Sequence, residues 1–161
     1  MTATQWSIKR YSGWLLGLFI LLIVPFPALG GDSIYGTVTE VRSADLFTLD
    51  YGEGKYQVRI IGIDVPRDGA LARRAKQFVT SLVLNKKVRL RFDHRTPNGE
   101  MVCRVFTDDP DIGIKEVGVE LLKTGFARRQ KGYDYKYGEL SAAENDAKKA
   151  RRGVWAQRSY K

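Results

Sequence analysis

The sequence predicts a domain of the α+β class that is mainly β: a five-stranded Greek-key barrel carrying three helices. Three observations predict it. Short runs alternating apolar and polar residues with a period of two follow one another between tight Gly, Asp and Ser clusters. An amphipathic helical stretch interrupts them after the third run, and two more helical stretches trail the fifth.

Ser33–Val41 opens the pattern, with Ile34, Gly36, Val38 and Glu40 expected on one face and Tyr35, Thr37, Thr39 and Val41 on the other. Its β-branched content favours a strand. Ser43-Ala44-Asp45 turns the chain into a second strand, Leu46–Asp50, and Gly52-Glu53-Gly54 turns it into a third, Tyr56–Ile63, read as buried and central. Pro66 and Gly69 then break the alternation. Between Ala70 and Leu84 the residues Leu71, Ala75, Phe78, Val79 and Leu82 recur at spacings of three and four, the signature of an amphipathic helix. Asn85-Lys86-Lys87 ends it. Val88–Phe92 is a fourth strand, with Val88, Leu90 and Phe92 alternating against Arg89 and Arg91, and Thr96-Pro97-Asn98-Gly99 turns the chain into a fifth, Met101–Thr107. A second helix is expected over Ile114–Thr124, stopped by Gly125, and a third over Tyr137–Arg151 on a narrow face of Leu140, Ala143, Ala147 and Ala150. Gly153 terminates it, and Trp155 is expected to pack back onto the core. This element order is that of an OB-type barrel. Residues 31–161 are read as one domain, large enough to fold unaided and expected to be monomeric.

The 161 residues carry 27 Lys+Arg against 18 Asp+Glu, with one His and one Cys. A single Cys excludes an internal disulfide framework, and one Cys with one His excludes His/Cys zinc clusters. Cys103 is expected to be a small core residue. With 43% hydrophobic and 28% charged residues, the chain is neither a disordered tail nor a polytopic membrane protein. Its chemistry must rest on carboxylates, arginines or phosphate-seeking charge. At the N-terminus, Lys9 and Arg10 precede the apolar run Trp14–Val24, then Pro25, Pro27 and the small residues Ala28 and Gly30. Residues 1–30 are therefore expected to be a secretory signal or, if uncleaved, an N-terminal anchor, and the domain to be exported, periplasmic or secreted. Without Lys9 and Arg10 the formal charge of +9 falls to +7, enough to attract polyanions such as nucleic acid or an anionic membrane surface.

The densest chemistry lies in Arg59-Ile-Ile-Gly-Ile-Asp64-Val65-Pro66. A strand projects one Arg and, five residues later, an Asp where Pro66 ends the pairing; Asp45 waits in the turn between the first two strands. Carboxylate oxygens suit a hard divalent cation, and a guanidinium forks onto phosphate oxygens. The bland alternative is a turn-forming Asp and a solvated strand Arg. Downstream, Arg128-Arg129-Gln-Lys131 followed by Tyr133, Tyr135 and Tyr137 interleaves cations with rings, which suits single-stranded nucleic acid. The alternative there is a solvated basic loop whose tyrosines pack onto the third helix.

The Asp45 turn, the Arg59–Pro66 segment, the Ala70–Leu84 helix, Asn98-Gly99, Leu121-Leu-Lys-Thr-Gly-Phe-Ala127 and Gly153-Val-Trp155 together resemble the thermonuclease, or staphylococcal-nuclease-like, family. The resemblance runs through essentially the whole domain and implies an OB barrel with three helices. It also implies a Ca²⁺-dependent phosphodiesterase acting on DNA and RNA. By position, Asp45 and Asp64 match the metal carboxylates, the Val65 carbonyl the third protein ligand, and Arg59 the arginine that holds the scissile phosphate.

Two positions depart from the family. Where it has Asp-Thr-Pro-Glu, with the Glu as general base or water-positioning group, this chain has Asp64-Val65-Pro66-Arg67. Where it has Tyr-Gly-Arg, with that Arg clamping the phosphate, this chain has Asn98-Gly99-Glu100. In one reading Arg67 and Glu100 are a swapped pair, Arg67 clamping the phosphate and Glu100 orienting the water. In another the domain binds nucleic acid without cutting it. A third enlists Asp68 or His94 as base, or Arg104 as clamp. A polyanion- or envelope-binding protein with no specific site is the remaining possibility.

Overall fold

The computed structural model describes residues 33–109 and 113–156. The expected signal or anchor lies outside the described residues, and no described helix is long and apolar enough to cross a membrane. In chain order the elements are β1 (Ser33–Ser43), β2 (Leu46–Tyr51), β3 (Gly54–Ile60), β4 (Ile63–Asp64), α1 (Gly69–Val83), β5 (Lys87–Arg95), β6 (Met101–Asp109), β7 (Gly113–Glu116), α2 (Val117–Lys123), β8 (Arg128–Arg129), α3 (Glu139–Lys149) and a 3₁₀ turn (Gly153–Trp155).

Antiparallel pairing runs β3-β2-β1-β5-β6, and β3 pairs parallel with β6 through Val58↔Met101, Arg59↔Val102 and Ile60↔Cys103. That last pairing closes five strands into a mixed barrel, and the three helices lie outside it, as the element order implied. Closure removes the free edges that an open sheet would expose. The interior is filled by alternate strand residues such as Val38, Phe47, Leu49, Val58, Leu90 and Val105, all fully buried. Each such side chain stabilises the fold by about 1.5–3 kcal/mol relative to exposure. Helix α1 buries Ala75, Val79 and Val83, and its end is tied to β1: Asn85 N–H donates to the Val38 carbonyl at 2.8 Å and Val38 N–H to the Lys86 carbonyl at 3.1 Å. Helices α2 and α3 pack together on Leu121, Leu122, Leu140, Ala143 and Ala147, all buried.

Four local differences from the sequence reading have physical causes. A register shift between Val38 and Glu40 switches the inward face of β1, so Val41 is buried and Glu40 exposed, the reverse of strict alternation. The long third run is split at Gly62, which adopts φ +77°; a side chain there would collide with the Tyr133 ring and Leu140. Past the break, Ile63 and Asp64 pair with Arg129 and Arg128 instead of continuing β3. The second helix begins at Val117 rather than Ile114 because residues 113–116 pair with β6 as β7. Finally, α3 begins at Glu139, because the Asp134 carboxylate accepts from Leu140 N–H at 3.0 Å and Ser141 N–H at 3.2 Å. Burial works against that carboxylate's charge, but hydrogen bonds from Ser141, Tyr135 and Leu140 prevail and lower its pKa.

Candidate functional site

The β1–β2 turn places Asp45 at the mouth of the barrel beside the end of β3. Asp45 is nearly buried, at 4% exposed, and both of its carboxylate oxygens are engaged. Ser43 Oγ donates to Oδ1 at 2.5 Å, and Arg59 Nη1 donates to Oδ2 at 2.7 Å. The backbone reinforces the placement: Leu46 is registered with Arg59, and Ile60 N–H donates to the Asp45 carbonyl at 2.9 Å.

Arg59 reaches a second carboxylate on its other edge. Its Nε donates to Glu100 Oε2 at 2.8 Å and its Nη2 to Glu100 Oε1 at 3.0 Å, a bidentate fork. Glu100 is set by the β5–β6 hairpin, where its N–H donates to Thr96 Oγ1 at 3.1 Å and Thr96 N–H returns to the Glu100 carbonyl at 2.9 Å. The hydrogen bond from Arg59 holds the Glu100 carboxyl below the usual range, and the same bond raises the Arg59 guanidinium pKa. One guanidinium thus bridges two carboxylates.

This bridge borders a cleft of about 430 Å³ whose lining includes Asp45, Arg59, Asp64, Arg67, His94 and Tyr133. The Asp64 and Arg67 side chains are exposed on it and, among the described residues, have no hydrogen-bond or ion-pair partner. The Val65 side chain is buried next to them. Asp45 from the β1–β2 turn and Arg59, Asp64 and Arg67 from the segment 59–67 are therefore brought to one cavity. Glu100 joins them through Arg59, lying in an adjoining hollow with Lys55, Tyr56 and Gln57.

The remaining sequence candidates divide. Tyr133 lines the cleft, and Lys131 is exposed. Arg128 lies over the Trp155 ring, 5.1 Å from its centroid. Arg129 is half-buried: its N–H donates to Glu144 Oε1 at 2.8 Å and its Nη1 to the Tyr133 carbonyl at 2.7 Å. Tyr135 is buried beneath Arg104 at 3.7 Å, edge-on to Tyr133 at 6.0 Å, so its ring packs rather than faces solvent. Arg104 itself forks onto Glu116, with Nε–Oε1 at 3.1 Å and Nη2–Oε2 at 2.6 Å, away from the cleft. His94 pairs with Asp93 at 2.7 Å on the cleft rim. Asp68 lies in the neighbouring hollow with Arg42, Arg73 and Lys76. Cys103 is fully buried in the barrel, and burial pushes its thiol up to about 12, so it is an inert core residue.

Two roles escaped the sequence reading. Glu100 was marked by its charge, but nothing in the chain showed that it would grip Arg59, 41 positions away. Asp134 was passed over as a capping group, although an Asp a few residues ahead of an apolar-faced helix is a recognisable start signal.

As for a metal, no group of three or more His, Cys, Asp or Glu gathers into a binding cluster among the described residues. What the cleft offers is oxygen: the free Asp64 carboxylate and Asp45, whose oxygens retain lone pairs beyond the bonds from Ser43 and Arg59. That donor set fits a hard divalent cation that keeps most of its shell as water or substrate oxygen, and fits no softer metal.

Residues 57–157 match the model of the staphylococcal nuclease homologue family. The chain belongs to that family. The matched stretch contains Arg59, Asp64, Arg67 and Glu100, while Asp45 lies upstream of it. The chain is also similar to proteins named "Probable endonuclease LCL3". That of Podospora anserina is 27% identical across 77% of this chain and 58% of its own length. Those of Leptosphaeria maculans and Verticillium alfalfae are each 30% identical across 62% of this chain and 37% and 38% of theirs. The chain thus spans between about a third and three-fifths of the length of these relatives.

Proposed function

We propose that this protein is a nuclease of the staphylococcal type that engages nucleic acid at the Asp45–Arg59–Asp64–Arg67 cleft and hydrolyses its phosphodiester bonds. The observation carrying this reading is the company Arg59 keeps: a guanidinium bridging two carboxylates, with an unpaired carboxylate and an unpaired guanidinium lining the cavity beside it. The family membership and the endonuclease names of the relatives support it.

Within the cleft the roles follow from the contacts. Arg67 is free to take a phosphate oxygen. Arg59 still has one N–H on each terminal nitrogen after its bonds to Asp45 and Glu100, so it can share charge with a phosphate without leaving its partners. Glu100 is a poor general base, because its bond from Arg59 lowers its basicity, and efficient proton transfer needs a pKa near the working pH. Glu100 therefore acts as the positioning group for Arg59, and the attacking water is oriented elsewhere in the cleft. Asp45, Asp64 and the Val65 carbonyl would hold Ca²⁺, which when bound supplies positive charge against the phosphate. Residues 1–30 would carry the chain out of the cell as a cleaved signal or tether it as an anchor.

Labelled single-stranded DNA, incubated with the purified protein in Ca²⁺ or in chelator and alongside Asp64→Ala, tests the reading. Cleavage that requires both Ca²⁺ and Asp64 is the expected result. One observation favours a second reading, a binding module that does not cut: Glu100 occupies the bidentate edge of Arg59, the edge a phosphate would prefer. Binding in both conditions with no cleavage would establish that reading instead.

A further inference from the structure

We propose that the outer face of the barrel across β1, β5, β6 and β7 is a second binding surface, a groove for single-stranded nucleic acid separate from the cleft. The groove has a volume of about 580 Å³ and is lined by Tyr35, Lys87, Arg89, Phe106, Asp108 and Ile114 among others. Cross-strand register builds it: Tyr35 sits opposite Arg89, and Arg89 opposite Phe106.

Alternation along β5 sets its charge. Val88 and Leu90 are buried in the barrel, so Lys87, Arg89 and Arg91 project outward, spaced about 6.6 Å apart at two residues per repeat. None of the three has a carboxylate partner among the described residues. Rings hold two of them instead: the Lys87 ammonium lies 5.9 Å from the Tyr35 centroid and the Arg89 guanidinium 4.6 Å from that of Phe106. A ring face orients a cation without neutralising it. The contrast with Arg59 and Arg104, each forked onto a glutamate, is direct.

A regularly spaced row of cations without ion-pair partners, in a groove whose lining includes the single acid Asp108, suits a linear polyanion. The aromatic component narrows the class further. Tyr35 is 52% exposed, and an exposed ring beside cations is a platform for an unpaired base, as is the planar guanidinium of Arg89. A duplex has no free base faces to offer, and a lipid surface has no use for a concave strip with base-sized rings. The strand also leads somewhere: β5 continues to His94, which is registered with Val102, and Val102 is registered with Arg59 on the other side. A bound strand would follow β5 from the groove to the cleft. Binding in the groove does not depend on whether the cleft cuts.

The test is fluorescence anisotropy of a labelled oligothymidylate with the full chain in chelator, over a salt series, comparing wild type with Lys87→Gln/Arg89→Gln/Arg91→Gln. Three lost phosphate contacts at about 0.7 each should reduce the slope of log affinity against log salt by about 2, and weaken binding at least about tenfold at moderate salt. Tyr35→Thr, which keeps the strand preference, should weaken binding about fivefold or more by removing one stacked base. In wild type, photo-crosslinking of a 4-thiothymidine oligonucleotide should label the peptide holding Tyr35, a readout that does not depend on how the triple variant folds. Asp64→Ala should leave these effects in place, separating them from any failure of the cleavage reading. An unchanged affinity and slope in a folded triple variant, or crosslinks confined to the cleft, would overturn the proposal. So would a triple variant that loses only its binding to phosphatidylserine vesicles, which would make the face a membrane surface.

Discussion

Two arginines on this barrel grip a glutamate in the same way, with different consequences. Arg59 forks onto Glu100 and Arg104 onto Glu116, with bonds between 2.6 and 3.1 Å in both cases. Their exposures are similar too: 27% and 24% for the arginine side chains, 17% and 9% for the glutamates. What differs is the surroundings. Arg104 lies against the Tyr135 and Phe106 rings at 3.7 and 5.4 Å, which lock it as part of the packing between β6, β7 and the loop before α3. Arg59 instead touches a second carboxylate, Asp45, and borders a cavity with Asp64 and Arg67 unpaired on it. A similar ion pair is thus a brace where rings enclose it and, in the function proposed above, a binding element where unpaired charge faces it.

The sharpest way to break this comparison is to truncate each arginine. Arg59→Ala should lower kcat/KM for Ca²⁺-dependent cleavage of single-stranded DNA by about 10²–10³-fold, and Arg104→Ala should leave it within about twofold. Equal losses would mean that the two pairs do the same work. The order reverses for stability. Arg104→Ala strands a nearly buried Glu116 and should cost about 2 kcal/mol, reduced from the fully buried case by the exposure of the arginine, as read from the urea midpoint. Glu100→Gln removes the anion that competes for Arg59 and should tighten binding of an oligonucleotide about tenfold, the size of one charge-assisted hydrogen bond. Glu116→Gln should leave binding unchanged in the same titration.

The smallest effect is the pH dependence. Arg59 holds Glu100 below its ordinary 4.5 in the folded protein. Its stabilising contribution is therefore complete above that value and is lost as pH falls through the lowered one. Urea midpoints measured between about pH 6 and 3 should decline less steeply in Glu100→Gln than in wild type, since the amide cannot titrate.

Much of the barrel could be read along the chain because its determinants are local. The alternation of Val88 and Leu90 against Arg89 and Arg91, the turn at Thr96–Gly99 and the three-four spacing of Leu71, Ala75 and Val79 each act within a few residues and appear where expected, whereas Phe92, expected on the face of Val88 and Leu90, is exposed. The failures occurred where distant groups intervened. The split at Gly62 is dictated by the ring of Tyr133, and residues 113–116 became a strand because β6 offered them an edge. The candidate site residues divide in the same manner. Asp45, Arg59 and Asp64 were legible as chemistry from their types and turns, while the burial of Tyr135 and the tying of Arg129 to Glu144 depend on α3 docking.

The sequence by itself determined the order of the five barrel strands and three helices, the single cysteine, the basic excess and the charges of Arg67 and Glu100, since all of these reside in residue identity and short-range spacing. Only the tertiary structure decided which charges meet. Parallel closure of β3 onto β6 brings Arg59 to the hairpin that carries Glu100, while Lys87, Arg89 and Arg91 of β5 face outward with no ion-pair partner among the described residues. The physical reason is range: periodicity and turn preference act over neighbouring residues, whereas an ion pair acts across a few ångströms of space that only the closed barrel creates.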